Sequence, residues 1–201
     1  MTEKEKMLSG KLYSAQDETL RREHASALRL TRLFNLTAEG ESVRRAELLR
    51  ELFASVGDNA VIEPPFRCDY GRNIHIGDNF FANFDCIILD VCPVTIGSDV
   101  LFGPRVSLYT AAHPLDAEVR RTGLEYGKPI HINDGVWIGG NSVINPGVTI
   151  GARSIIGSGS VVTKDIPPDV IAVGNPCRVI RAVNETDRAY WERLRQEYAQ
   201  G

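Results

Sequence analysis

Ile132-Asn133-Asp134-Gly135-Val136-Trp137-Ile138-Gly139-Gly140-Asn141-Ser142-Val143-Ile144-Asn145-Pro146-Gly147-Val148-Thr149-Ile150 places an isoleucine at every sixth position. The count continues through Ile156 and Val162, and the fourth residue after each member is small or β-branched: Val136, Ser142, Val148, Ser154, Ser160 and Ile166. Helices repeat every 3.6 residues and half-buried strands every two, so neither produces a period of six. A chain that runs straight briefly and turns one corner per hexapeptide does produce it. Three such runs close a triangular coil of about 18 residues, and stacked coils line up equivalent residues into an inner ladder. The stretch therefore predicts a parallel β-helix.

Working upstream, Ile96-Gly97, Phe102-Gly103 and Leu108 repeat the pattern, with Val100, Val106 and Ala112 four residues on. Ile76-Gly77, Ala82 and Ile88 extend it, followed at the same offset by Phe80, Cys86 and Cys92, and two extra residues near Pro93 shift the register. Residues 57–180 are thus assigned to the β-helix. Between Leu108 and Ile130 the inner column fails, which predicts an excursion loop at about 113–129 whose first residue is His113. Residues 1–56 contain only Gly10 and Gly40 and no proline, and their apolar residues recur three and four apart. One helical stripe is read as Leu20, Ala27, Leu28, Thr31 and Phe34, another as Leu48, Leu49, Leu52 and Phe53, with Asp17 as N-cap of the longer helix. Residues 181–201 read as a helical tail.

Composition agrees with this division. Of the 201 residues, 43% are hydrophobic and 24% charged, and the net charge of −3 offers no general field for nucleic acid or an anionic membrane. No run approaches the roughly 20 apolar residues of a membrane helix, and the N-terminus lacks a secretion-signal core, so a cytoplasmic protein is expected. Fifteen of the 18 glycines and all ten prolines lie between residues 57 and 176, where the corners are.

Four histidines are available. His24 reads as a surface or packing residue of the helical segment, and His75 and His131, each one place before an inward aliphatic, point outward. His113, at the root of the excursion and before Pro114, is the candidate general base. Cys68, Cys86, Cys92 and Cys177 read as small core residues, with Cys68 one coil before Cys86, and no pair has zinc-ligand spacing. Lys164, Arg178 and Arg181 gather near Gly174-Asn175-Pro176 and form a local cationic cluster able to hold phosphates.

Phe66-Arg67-Cys68-Asp69-Tyr70-Gly71, Phe80-Phe81-Ala82-Asn83-Phe84-Asp85, the residues around His113-Pro114, Trp137-Ile138-Gly139-Gly140 and Val143–Gly151 together resemble the maltose and galactoside O-acetyltransferases, the maltose branch above all. The resemblance spans nearly the whole chain. It implies a mainly β, left-handed parallel β-helix with an N-terminal helical segment, and transfer of an acetyl group from acetyl-CoA to a sugar hydroxyl. His113 matches the family's catalytic histidine, and Asn83 the asparagine beside the reacting groups. Asp69, Tyr70, Asn83 and Asp90 match its acceptor pocket, with Asp17 reaching the same place. Gly140, Ser158, Thr163, Lys164, Arg178 and Arg181 match positions that contact CoA. No metal is implied, and a homotrimer with sites between prisms is. Gly140, Asp69 and Val91 depart from the galactoside enzymes, which carry there a hydroxyl residue, a serine and an acidic residue respectively.

Two other readings are compatible with the same residues. One is a zinc-dependent hydrolyase of carbonic-anhydrase type, because His113 and His131 are one nominal coil apart, although the excursion between them spoils simple stacking and His75 is far upstream. The other is a non-catalytic trimeric binding protein on the same prism.

Overall fold

Hexapeptide runs can bury their aliphatic residues only by stacking, and the computed structural model, which describes residues 1–201, shows how they do so. Three parallel sheets form the walls of a prism of about six coils, a left-handed parallel β-helix. Face A stacks Ser55–Val56, Ile74–Ile76, Val94–Ile96, Ile130–Ile132 and Thr149–Ile150. Face B stacks Val61–Ile62, Phe81–Ala82, Leu101–Phe102, Trp137–Ile138, Ile155–Ile156 and Val170–Val173, and is closed by the antiparallel strand Arg178–Ala182. Face C stacks Phe66–Cys68, Cys86–Leu89, Ser107–Tyr109, Val143–Ile144 and Val161–Val162.

Strand register superimposes the inner residues. Val56, Ile76, Ile96, Ile132 and Ile150 align on face A, and Cys68, Ile88, Leu108, Ile144 and Val162 align on face C. Most of this column is fully buried, Ile132, Ile138, Ile144, Ile150, Ile156 and Val162 at 0–1% exposure. At about 2 kcal/mol for each buried aliphatic side chain, the ladder is the main cohesive force of the prism.

The corners follow a rule of their own. The third residue after an inner position adopts positive φ, as at Asn79, Asp85, Asp99, Arg105, Gly135, Asn141, Arg153 and Gly159. This conformation suits Gly, Asn and Asp. The residue directly after the inner position lies against the next coil: a Cβ on Gly77 would sit 2.7 Å from the Gly97 carbonyl carbon. Asn59, Asn79 and Asp99 stack at one corner and share side-chain hydrogen bonds of 3.1 and 2.9 Å.

Coil length departs from the regular count. Cys68 pairs with Ile88 and Cys86 with Phe66, so the first coils are 20 residues long and Cys68 does not stack on Cys86. The extra residues fall at 69–73 and 90–93, both at the corner between faces C and A, and the excursion leaves from the same corner. Cys92 is buried outside the prism core, its thiol donating to the Met7 carbonyl at 3.1 Å.

Helix α1 (Glu3–Leu8), the strand Tyr13–Ser14, helix α2 (Glu18–Asn35) and helix α3 (Ser42–Leu52) precede the first coil. An open coil end would expose the inner column to water, and α2 and α3 cover it with Ala27, Leu30, Phe34, Leu48, Leu49 and Leu52. Leu30, and not Leu28, belongs to the buried stripe: Leu28 is 51% exposed, because it lies about 200° around the helix from Leu30. The excursion contains the strand Ala111–Ala112, helix α4 (Ala117–Arg121) and the strand Leu124–Gly127. These strands join Tyr13–Ser14 in a three-stranded antiparallel sheet, so the segment read as wholly helical also supplies a strand. Beyond the prism, helix α5 (Glu185–Gln200) buries no residue.

Candidate functional site

The corner between faces C and A is where the chain gains residues three times, at 69–73, at 90–93 and at the excursion. Additional residues at one vertex of a rigid prism must bulge outward, and α2 packs beside them, which leaves a cleft of about 730 Å³. Tyr13, His24, Asp69, Tyr70, Val91 and Glu125 are among its walls. A second cleft of about 590 Å³ continues along face C and shares His24 and Asp69 with the first.

Asp90 holds the bulge together. Its Oδ1 accepts the Asp69 and Tyr70 amides at 3.0 and 2.9 Å, and its Oδ2 accepts the Asn73 amide at 3.3 Å. The residue is 0% exposed, and burial pushes its carboxyl up to about 7 against those hydrogen bonds. Expected among the residues that meet an acceptor, Asp90 instead lies beneath the loop with both oxygens spent on backbone donors. Asp17 lies at the N-terminus of α2. Its carboxylate caps α2 through the Thr19 and Leu20 amides at 3.0 and 3.1 Å, and it is absent from the cleft wall.

Asp69 and Tyr70 do line the cleft. Burial raises the Asp69 carboxyl, a shift countered by His24 and reinforced by Glu125. His24 Nδ1 lies 2.9 Å from the Asp69 carbonyl oxygen, and its ring meets Tyr70 edge-on at 5.9 Å. Tyr13 donates its hydroxyl to Glu125 Oε2 at 2.9 Å. Sequence reasoning missed His24, Tyr13 and Glu125. No local pattern marks them, because the first two lie on the N-terminal segment, Glu125 lies in the excursion, and only folding brings them together.

The remaining candidates separate onto the two edges of face C. Asn83, Gly140 and Ser158 stack at the corner between faces B and C: the Asn83 amide donates to Phe102, and Gly159 donates to the Gly140 carbonyl at 2.9 Å. The amides on either side of Gly140, from Gly139 and Asn141, donate to Ile156 and Pro104, and a Cβ on Gly140 would lie 2.9 Å from the Pro104 oxygen. His113, Thr163 and Lys164 belong to the opposite edge, all exposed. One chain therefore does not bring Asn83 to His113. Arg178 and Arg181 lie on the closing strand of face B. Asp187 engages the Arg181 guanidinium bidentately at 2.6 and 2.9 Å, an interaction that holds the Asp187 carboxyl down at about 2.

The zinc reading depended on His113 and His131 stacking one coil apart. In the prism the neighbours of His131 are Thr95 and Thr149, and His75 pairs with Ser55 and Thr95, while His113 leaves with the excursion. No group of three or more His, Cys, Asp or Glu side chains is placed to hold a metal ion.

Residues 6–57 match the model of the maltose acetyltransferase hexapeptide capping motif, and residues 129–164 that of the bacterial transferase hexapeptide with six repeats. Galactoside O-acetyltransferase of Escherichia coli K12 is 48% identical over 187 residues, covering 93% of this chain and 92% of that protein. The crystal structure of a maltose O-acetyltransferase from Clostridium difficile 630 superposes with a TM-score of 0.91 at 59% identity, covering 92% of this chain and 99% of that one. A galactoside acetyltransferase in complex with coenzyme A superposes with a TM-score of 0.91 at 48% identity, covering 94% of both chains. Matches of this identity and extent, on a capped hexapeptide prism, show that the chain belongs to the maltose and galactoside O-acetyltransferase family of hexapeptide-repeat enzymes.

Proposed function

We propose that this enzyme transfers the acetyl group of acetyl-CoA to a hydroxyl of a sugar, maltose, glucose or a related saccharide, with His113 as general base. The observation that carries this reading is the cleft beside the excursion. Its Asp69 carboxylate and Tyr70 hydroxyl are the groups that hydrogen-bond sugar hydroxyls, and Glu125 on its wall belongs to the small sheet whose strand Ala111–Ala112 leads into His113. The coenzyme A bound by the relative at 48% identity supports the choice of donor.

In the reaction, His113 takes the proton of the attacking hydroxyl as its oxygen bonds to the thioester carbonyl carbon. The carbon–sulfur bond then breaks, and the imidazolium returns its proton to the departing thiolate. Asn83 orients the hydroxyl and acetyl group, and the Gly140 amide donates to the carbonyl oxygen as it gains negative charge. Ser158, Thr163, Lys164, Arg178 and Arg181 bind CoA, and the phosphate that meets Arg181 competes with Asp187. No step needs a metal.

A homotrimer completes the site. Asn83 and His113 occupy opposite edges of face C, and the outward side of that face carries the half-buried apolar residues Ile87, Leu89, Val143 and Val161 beside Arg67, Ser107 and Tyr109. Three copies arranged cyclically with face C toward the axis bring the Asn83 edge of one beside the His113 edge of the next. His113→Ala should lower kcat at least 100-fold while leaving circular dichroism unchanged. Near-wild-type turnover by that variant rejects the base assignment. Co-expressed His113→Ala and Asn83→Ala chains should regain activity that neither has alone, because mixed trimers contain intact sites. No recovery would place both residues in one subunit's site.

A further inference from the structure

We infer that Tyr13 is a positioning residue for the segment that carries His113, an inference that rests on the reading of His113 as the general base. The excursion is a long departure from the prism, and α4 at its tip buries no residue. What sets its placement is the small sheet at its base. Ala111 and Ala112 pair with Gly127 and Tyr126, and the far edge of that strand pairs with Tyr13 and Ser14. An isolated two-stranded hairpin is marginal in water, so the third strand decides whether this one holds its geometry.

Tyr13 anchors the third strand. It is 1% exposed, packed with Met7, Leu20, Tyr70 and Val91, and its hydroxyl donates to the Glu125 carboxylate on the neighbouring strand at 2.9 Å. Two further contacts press the same segment into place. The Cys92 thiol donates to the Met7 carbonyl, and Gly10 has φ +72 with its missing Cβ position 3.0 Å from the Gly127 oxygen. The chain of contacts runs from the prism corner through Tyr13 and Glu125 to Ala112, and His113 is the next residue. A base displaced by even a fraction of an ångström loses its alignment with the hydroxyl it serves, and a 1 Å error can cost a hundredfold in rate.

The test compares Tyr13→Phe, Glu125→Ala, the double variant and His113→Ala, using acetyl-CoA with maltose and with glucose. Tyr13→Phe keeps the packed ring and removes only the donated bond. Its kcat should fall about tenfold with KM for acetyl-CoA and acceptor within twofold of wild type. Amide exchange in 111–113 and 124–127 should quicken, with exchange in the prism coils unchanged. The double variant should be no slower than the slower single variant, because both lose the same bond. Unchanged kcat and exchange in Tyr13→Phe would overturn the inference, as would a raised acceptor KM at constant kcat, which would place Tyr13 in the acceptor subsite. Full activity in His113→Ala would instead reject the base reading, leaving the exchange measurement to decide whether Tyr13 orders the hairpin.

Discussion

Asp90→Asn probes the one carboxylate that the fold buries completely. The folded chain holds the Asp90 proton up to about pH 7, against 3.8 for an ordinary aspartate, because removal from water penalises the charge more than three amide donors relieve it. Folding thus favours the protonated form. The stability contributed by Asp90 is complete below about pH 4 and is lost as the pH rises through 7. A difference of about 3 units at 1.36 kcal/mol each amounts to about 4 kcal/mol. Asparagine carries no titrating charge, keeps an oxygen for the Asp69 and Tyr70 amides, and leaves the 3.3 Å Asn73 bond without an acceptor at every pH. Wild type should therefore lose about 4 kcal/mol relative to Asp90→Asn between pH 4 and pH 8. Urea unfolding followed by tryptophan fluorescence at fixed protomer concentration measures this, since other groups titrate alike in both proteins and cancel. Stability curves that run parallel to within 1 kcal/mol over that range would refute the assignment of a buried, proton-retaining carboxyl.

Two further substitutions, with one control, test the stacking of the prism. Gly77→Ala should destabilise by about 1–3 kcal/mol, because its Cβ meets the Gly97–Ser98 backbone at 2.7 Å, whereas Gly40→Ala, with nothing within 4 Å, should stay within about 0.5 kcal/mol; thermal melts of the two separate crowding from loss of glycine as such. Ile138→Ala removes a fully buried member of the inner column between Phe102 and Ile156, and urea unfolding should show a loss of about 2–5 kcal/mol.

The prism was legible because its information is local and repeated. Each six-residue unit must place one aliphatic inward, and six consecutive agreements leave no competing period. The N-cap at Asp17 was legible for the same reason, its side chain reaching only two and three residues ahead. Leu28 was misplaced because Leu28 and Leu30 are equally hydrophobic, and only the prism decides which face of α2 meets it. Asp69 and Tyr70 were placed through family resemblance, while Asp90 showed its structural task only when the amides of 69, 70 and 73 were seen converging on it.

By itself, then, the sequence determined the coil, its inner ladder, the helical cap and the point where His113 leaves the repeat. Tertiary structure alone decided that every irregularity falls at one vertex, that His24, Tyr13 and Glu125 meet Asp69 there, and that Asn83 and His113 stand on opposite edges of one face. The reason is range. A period is written in neighbours, whereas the Tyr13–Glu125 bond joins residues 112 apart, and no local pattern specifies which distant side chains will share a cleft.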